Sequence, residues 1–168
     1  VQIEILRQLT SLARSGMLVS SSRKLSGSNS GRLTKYKPTK IIHVGHSLGS
    51  VITLGLITSY PTESDGVIAT GFLHTDKLGG VNVGMWGFEF ARDNDPVRFR
   101  DRGSGYLVQA TRSNTQLSFF KKGSFEKEML DYAWKIRQPN TVSEFLSIGT
   151  ALGRAAPGFK APLQVRLL

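Results

Sequence analysis

The chain has 168 residues, and 22 Lys and Arg against 12 Asp and Glu give it a formal net charge of +10. It contains no cysteine, which excludes disulfides, cysteine nucleophiles and thiolate metal sites. The length suits one domain, a hydrophobic fraction of 39% suffices for a core, and no apolar run approaches the roughly 18 residues of a membrane span.

Residues 1–15 predict an amphipathic helix, because Ile5, Leu6, Leu9, Leu12 and Ala13 recur at helical spacing and Gly16 is a natural stop. The segment 20–40 predicts a flexible basic loop. It is rich in Ser and Gly and carries Arg23, Lys24, Arg32, Lys35, Lys37 and Lys40 with no acidic residue. Such an arm suits phosphates or an anionic membrane surface. The plainer reading is a solvated loop, since Tyr36 is its one aromatic and no RNP, zinc-finger or dsRNA-binding pattern accompanies it. Nucleic acid is therefore not the expected partner.

Lys40–Gly45 is a nearly continuous apolar run and predicts a short strand covered on both faces. Residues 50–60 predict a buried helix ended by Pro61, and residues 66–73 a second buried strand. Helix, strand, helix, strand in this order predicts a parallel α/β layer. From about residue 77 to 156 the pattern changes to that of a helical insertion. There Ser124 is placed to cap a helix over Phe125–Arg137, and Thr141-Val-Ser-Glu144 reads as a capping box. Arg92, Asp93, Asp95, Arg98, Arg100, Asp101 and Arg102 read as a solvated ion-pair cluster. Residues 161–168 predict a third strand. A chain that opens on Val1 and closes in a strand reads as a piece of a longer protein.

Gly45-His46-Ser47-Leu48-Gly49 is a G-x-S-x-G sequence between a predicted strand and a predicted helix. A turn tight enough to expose a serine there strains its backbone and crowds the residues two either side, which asks for the two glycines. Ser47 Oγ would stand at the carboxyl end of the sheet, and the Leu48 N–H, at the helix start, would face a developing oxyanion. The alternative is an ordinary strand-to-helix turn with a hydroxyl cap.

The segment Ile41–Ser50 resembles the nucleophile elbow of the α/β-hydrolase superfamily. The chain is most similar to fungal esterase-like members: Tyr60-Pro61 closes the helix, Asp65–Phe72 follows as a strand, Gln138–Val142 lies in the cap and Ala161–Leu168 returns to the sheet. The resemblance implies a partial three-layer parallel-sheet α/β fold, a single domain over residues 1–168 with a cap inserted at about 77–156. It implies a serine hydrolase of carboxylester type with Ser47 as nucleophile and Leu48 as an oxyanion donor. Its substrate would be a small apolar ester-like molecule. No metal or organic cofactor is needed for such chemistry, and three histidines without a paired carboxylate make no metal site.

The superfamily's order of Ser, then Asp or Glu, then His puts the usual acid and base beyond Leu168. Within the chain His74 is a candidate base or substrate contact, and Asp76 a candidate acid, against its reading as a turn residue. His46 should diverge from Ser47, His43 reads as a core residue, and Asp65 lies at the wrong end of its strand. Trp86, Phe88, Phe90, Phe119, Phe120 and Trp134 would line an apolar cap pocket or form cap core. Two alternatives to the hydrolase stay open: a non-catalytic relic or binding protein, and an anion- or nucleic-acid-binding module using the 20–40 loop.

Overall fold

The structure, a computed structural model, describes residues 1–18, 36–71 and 84–166. The chain is mixed α/β and forms two compact units, Val1–His74 with Ala151–Leu168, and Thr75–Thr150.

In the first unit, helix α1 (Gln2–Ser15) ends at Gly16, whose left-handed φ of 74° turns the chain so that the Gly16 and Met17 N–H groups reach Ala13 O and Leu12 O. Strands β1 (Ile42–His46) and β2 (Gly66–Thr70) flank helix α2 (Leu48–Ser59). A third strand in the Leu163–Arg166 stretch, numbered below as β6, pairs with β2, so the sheet is parallel in the order β1-β2-β6. The helix and strands predicted in this unit are present; the 66–73 strand is ladder-paired to Thr70, and residues 72–73 lie outside the described residues, as does most of the 20–40 loop.

The core of this unit is made by α2 against the sheet. Leu56, Ile57, Val67 and Ala69 are buried, with Val51 and Leu54 beside them. Gly55 lets α1 come close, for a Cβ there would meet Ile3 Cδ1 at 2.4 Å. The expectation that β1 is covered on both faces is not met. His43 and Gly45 are buried, but Ile42 and Val44, on the other face, stay 60% and 69% exposed. The His43 side is the one that α1 and α2 cover, so two layers rather than three are formed by the described residues of this unit.

Polar contacts fix α1 to this layer. Thr10 Oγ1 lies 2.9 Å from His43 Nε2, and Arg14 donates to Asp65 Oδ2 at 2.8 Å, the same oxygen that accepts the Ile41 N–H. Nearer the start of α1, beside Tyr60, Arg7 forks onto Glu4 and holds its carboxyl down at about 2.

The second unit contains helices, as its sequence suggests, and also a small sheet that the helical-insertion reading did not include. Its sheet, β3 (Phe88–Phe90), β4 (Tyr106–Gln109) and β5 (Asn140–Thr141), is antiparallel in the order β3-β4-β5. Around it stand α3 (Ala91–Asn94), α4 (Arg112–Phe119), α5 (Lys127–Ile136) and α6 (Val142–Ile148), while β6 (Leu163–Arg166) returns to the first unit. Two- and three-residue strands are too short to display alternation, which is why the pattern missed them.

The Thr141–Glu144 capping box is formed, with Thr141 Oγ1 accepting from Glu144 N and Glu144 Oε2 from Thr141 N. Ser124 is not a cap: its N–H closes a turn onto Lys121 O, and α5 starts after Glu126. A second box, Thr111 with Asn114, opens α4. The Arg and Asp residues of 92–102 are not one ion-pair cluster. Asp95 takes the Arg98 N–H and stands 3.6 Å from Arg137, and Arg98 donates to the carbonyls of Lys135 and Arg137.

Replacing Ile57, fully buried in α2, by Ala should cost about 2–5 kcal/mol in urea unfolding. Val97→Ala, at an 84% exposed position, should stay within about 0.5 kcal/mol.

Candidate active site

β1 delivers the chain to Ser47 and α2 carries it away within one residue. Ser47 sits at φ 51° and ψ −118°, and among the described residues no other non-glycine residue has a positive φ. That conformation costs an L-residue about 1–3 kcal/mol and persists only where its surroundings impose it. They do so through Thr70. The Ser47 N–H donates to Thr70 O at 2.9 Å, and Ser47 O accepts the Ser50 and Val51 N–H groups at 2.9 and 3.3 Å. The fully buried Ser50 hydroxyl donates to Thr70 O and accepts from Thr70 N. The Thr70 hydroxyl donates to Gly45 O at 3.1 Å. One residue of β2 thus ties down the chain before, at and after Ser47.

The two glycines of the motif differ. A Cβ on Gly45 would come within 2.5 Å of Gly49 O and 2.6 Å of Ser50 N, so main chain, which cannot rotate away, forbids it. A Cβ on Gly49 would meet nothing within 4 Å among the described residues, which corrects the expectation that both are required.

Ser47 is exposed and occupies the N-cap position of α2, yet its side chain makes no capping hydrogen bond. The hydroxyl-cap alternative is thereby removed. Leu48 opens α2, and its N–H has no acceptor among the described residues, as expected of the first turn of a helix.

Neither described histidine is directed to Ser47. His46 Nδ1 lies 2.9 Å from Thr70 Oγ1. Because that hydroxyl already donates to Gly45 O, His46 Nδ1 carries the proton of this contact. His43 is buried with Nε2 on Thr10 Oγ1 and Nδ1 on Ser64 Oγ at 2.8 Å, so it is a core residue, as expected. Burial first, and the Arg14 charge second, push its pKa down. Asp65 is a structural partner of Arg14, and the Ile41 N–H and Arg14 lower its pKa. His74 and Asp76 lie outside the described residues.

Sequence reasoning missed Thr70 and Ser50, the two residues that hold the elbow. A serine inside an otherwise apolar helix segment, one position beyond the motif, was the available signal for Ser50. Thr70 has none, since a threonine in a strand is ordinary.

In the second unit, four of the candidate pocket aromatics, all half-buried, pack on other side chains. Trp86 and Phe88 pack edge-on at 5.4 Å and both meet Phe145, Phe120 packs on Phe125, and Trp134 lies 3.6 Å from the Arg137 guanidinium. Phe119 is exposed, and Phe90 lines a cavity that also carries arginines and an aspartate, so it is not the wholly apolar pocket expected. No group of His, Asp or Glu among the described residues is arranged to hold a metal. No helix among them is long and apolar enough to cross a membrane.

No protein-family model matches this chain, and no curated protein matches it.

Gly45→Ala should destabilise the protein by about 3 kcal/mol or more, whereas Gly49→Ala should be neutral or mildly stabilising in the same thermal unfolding series. The depressed His43 pKa has a signed consequence. Below about pH 6.5 the unfolded chain binds a proton that the folded chain resists, so stability should fall as pH drops through that value. Urea midpoints across that range should show this slope in the wild type and a weaker one in His43→Gln, which keeps a polar side chain without the titration.

Proposed function

We propose that this chain is a serine hydrolase of the α/β-hydrolase superfamily, acting on an ester-like bond through Ser47. The observation that carries the proposal is the Ser47 backbone: φ 51° between a parallel strand and a helix, with a hydroxyl released from capping. A protein has little reason to sustain such strain at a serine unless the exposed hydroxyl is used. Gly45, which only a residue without Cβ can occupy, supports the same reading. So does the position of the turn at the carboxyl end of a parallel strand, where open α/β sheets place their sites.

In this reading Ser47 Oγ attacks the carbonyl carbon of a small apolar ester while a base takes its proton. The Leu48 N–H stabilises the oxyanion of the tetrahedral intermediate. Collapse releases the alcohol and leaves an acyl-Ser47, which water then hydrolyses. The step needs an imidazole, and His43 and His46 are held by other partners. His74, with Asp76 as its acid, is the base within this sequence that remains. No cofactor enters such a reaction.

That engagement of His43 and His46 also favours a second reading, in which the elbow is retained by a non-catalytic relic that binds without turnover. A fluorophosphonate probe with intact-mass detection separates the two. The hydrolase reading predicts one adduct on the wild type and none on Ser47→Ala. It also predicts that esterase activity falls roughly 10³-fold or more in that variant. Folded wild-type protein that takes no adduct would leave the relic.

A further inference from the structure

The second unit contains a cavity of about 390 Å³, within the size range of small-ligand sites. We infer that it binds a small organic anion with a flat apolar body, its carboxylate or phosphate held between Arg92 and Arg100. The two guanidiniums line the same cavity, which Phe90, Pro96 and Tyr106 supply with apolar surface.

The other arginines of this unit, Arg98, Arg102, Arg112 and Arg137, are already engaged. Arg98 donates to the carbonyls that end α5, Arg112 pairs with Asp131 at 2.6 Å, and Arg137 lies against Trp134 and donates to Asn94. Arg102 lies over the Tyr106 ring. Arg92, by contrast, has no hydrogen-bond or ion-pair partner among the described residues. The ion pair of Arg100 is with Asp101 at 3.6 Å, both side chains more than three-quarters exposed, a contact of little strength. Each guanidinium is a planar fork of donors suited to an oxyanion, and both line the one cavity with donors to spare.

The apolar side of the cleft is firm. Tyr106 packs on the buried cluster of Ala91, Phe99 and Val108 and lines the cavity, so the wall it contributes is held in place. Asp93, also in the lining, offsets one of the two cations and so favours a singly charged anion over a highly charged one. The cleft lies wholly within the second unit, and its occupancy does not depend on Ser47 being a nucleophile.

The test is a titration of the whole ¹⁵N-labelled chain with benzoate, phenyl phosphate, inorganic phosphate and benzyl alcohol. Saturable shifts centred on Gly103, Ser104 and Tyr106 are expected with an aromatic anion, and the stronger of the two identifies the acid group. The neutral alcohol and inorganic phosphate should each bind at least about tenfold more weakly. Arg92→Ala and Arg100→Ala should each weaken the preferred anion by about tenfold, while Asp93→Asn should tighten it. All three positions are exposed, so the fold should survive, and an affinity that rises in one variant and falls in two is not a general loss of structure. No saturable shift from either aromatic anion to about 10 mM would overturn the inference. So would equal binding of the alcohol or of inorganic phosphate, or affinities indifferent to these substitutions.

Discussion

The hydrogen bond from the Ser47 N–H to the Thr70 carbonyl is the contact on which the candidate site depends. Ser47 pairs with β2 while already turning into α2, and an L-residue there must accept a positive φ. The strain is sustained because Thr70 holds three neighbours at once: Gly45 through its hydroxyl, Ser47 through its carbonyl and Ser50 through carbonyl and N–H. Each of these bonds alone is worth about 1 kcal/mol, and together they match the cost of one residue in a sparsely populated region. Gly45 completes the arrangement, since any side chain there would push the first turn of α2 off its bond to β2.

The rest of the first unit keeps that junction in place. Buried Leu56 and Ile57 seat α2 on the sheet, and Gly55 admits α1 beside it. Away from the elbow, His43 joins Thr10 of α1 to Ser64 before β2, and Arg14 joins α1 to Asp65. These polar links help to keep the register of the sheet: β1 is fixed to β2 by its ladder and to α1 by a buried imidazole. They also place in the core an imidazole whose pKa burial pushes down, so its protonation opposes folding.

Much of this was legible beforehand, and the reasons are specific. Helices α1 and α2 and the three parallel strands follow from apolar periodicity and from stops at Gly16 and Pro61. The elbow is legible because its glycines and serine come at fixed spacing between two apolar segments. The second unit was read less well. Its sheet is built from strands of two to four residues, and its first capping box uses Asn114 where the usual pattern has Glu or Gln. Of the clamp on Ser47, only the Ser50 hydroxyl had a signal in the sequence. Its central bond is made by the main chain of Thr70, which lies 23 positions beyond the serine. Pairings made by main chain leave no trace in residue identity.

Ser47 is held under strain by its neighbours, and the stabilities of Ser47→Gly and Ser47→Ala measure that strain. Neither variant has a hydroxyl, but glycine adopts φ 51° and ψ −118° without steric cost and alanine does not. Ser47→Gly should be more stable than Ser47→Ala by about 1 kcal/mol or more, despite the greater entropy glycine gives the unfolded chain. Equal stability, or a more stable alanine variant, would mean that the turn at Ser47 is unstrained and that the elbow reading is wrong.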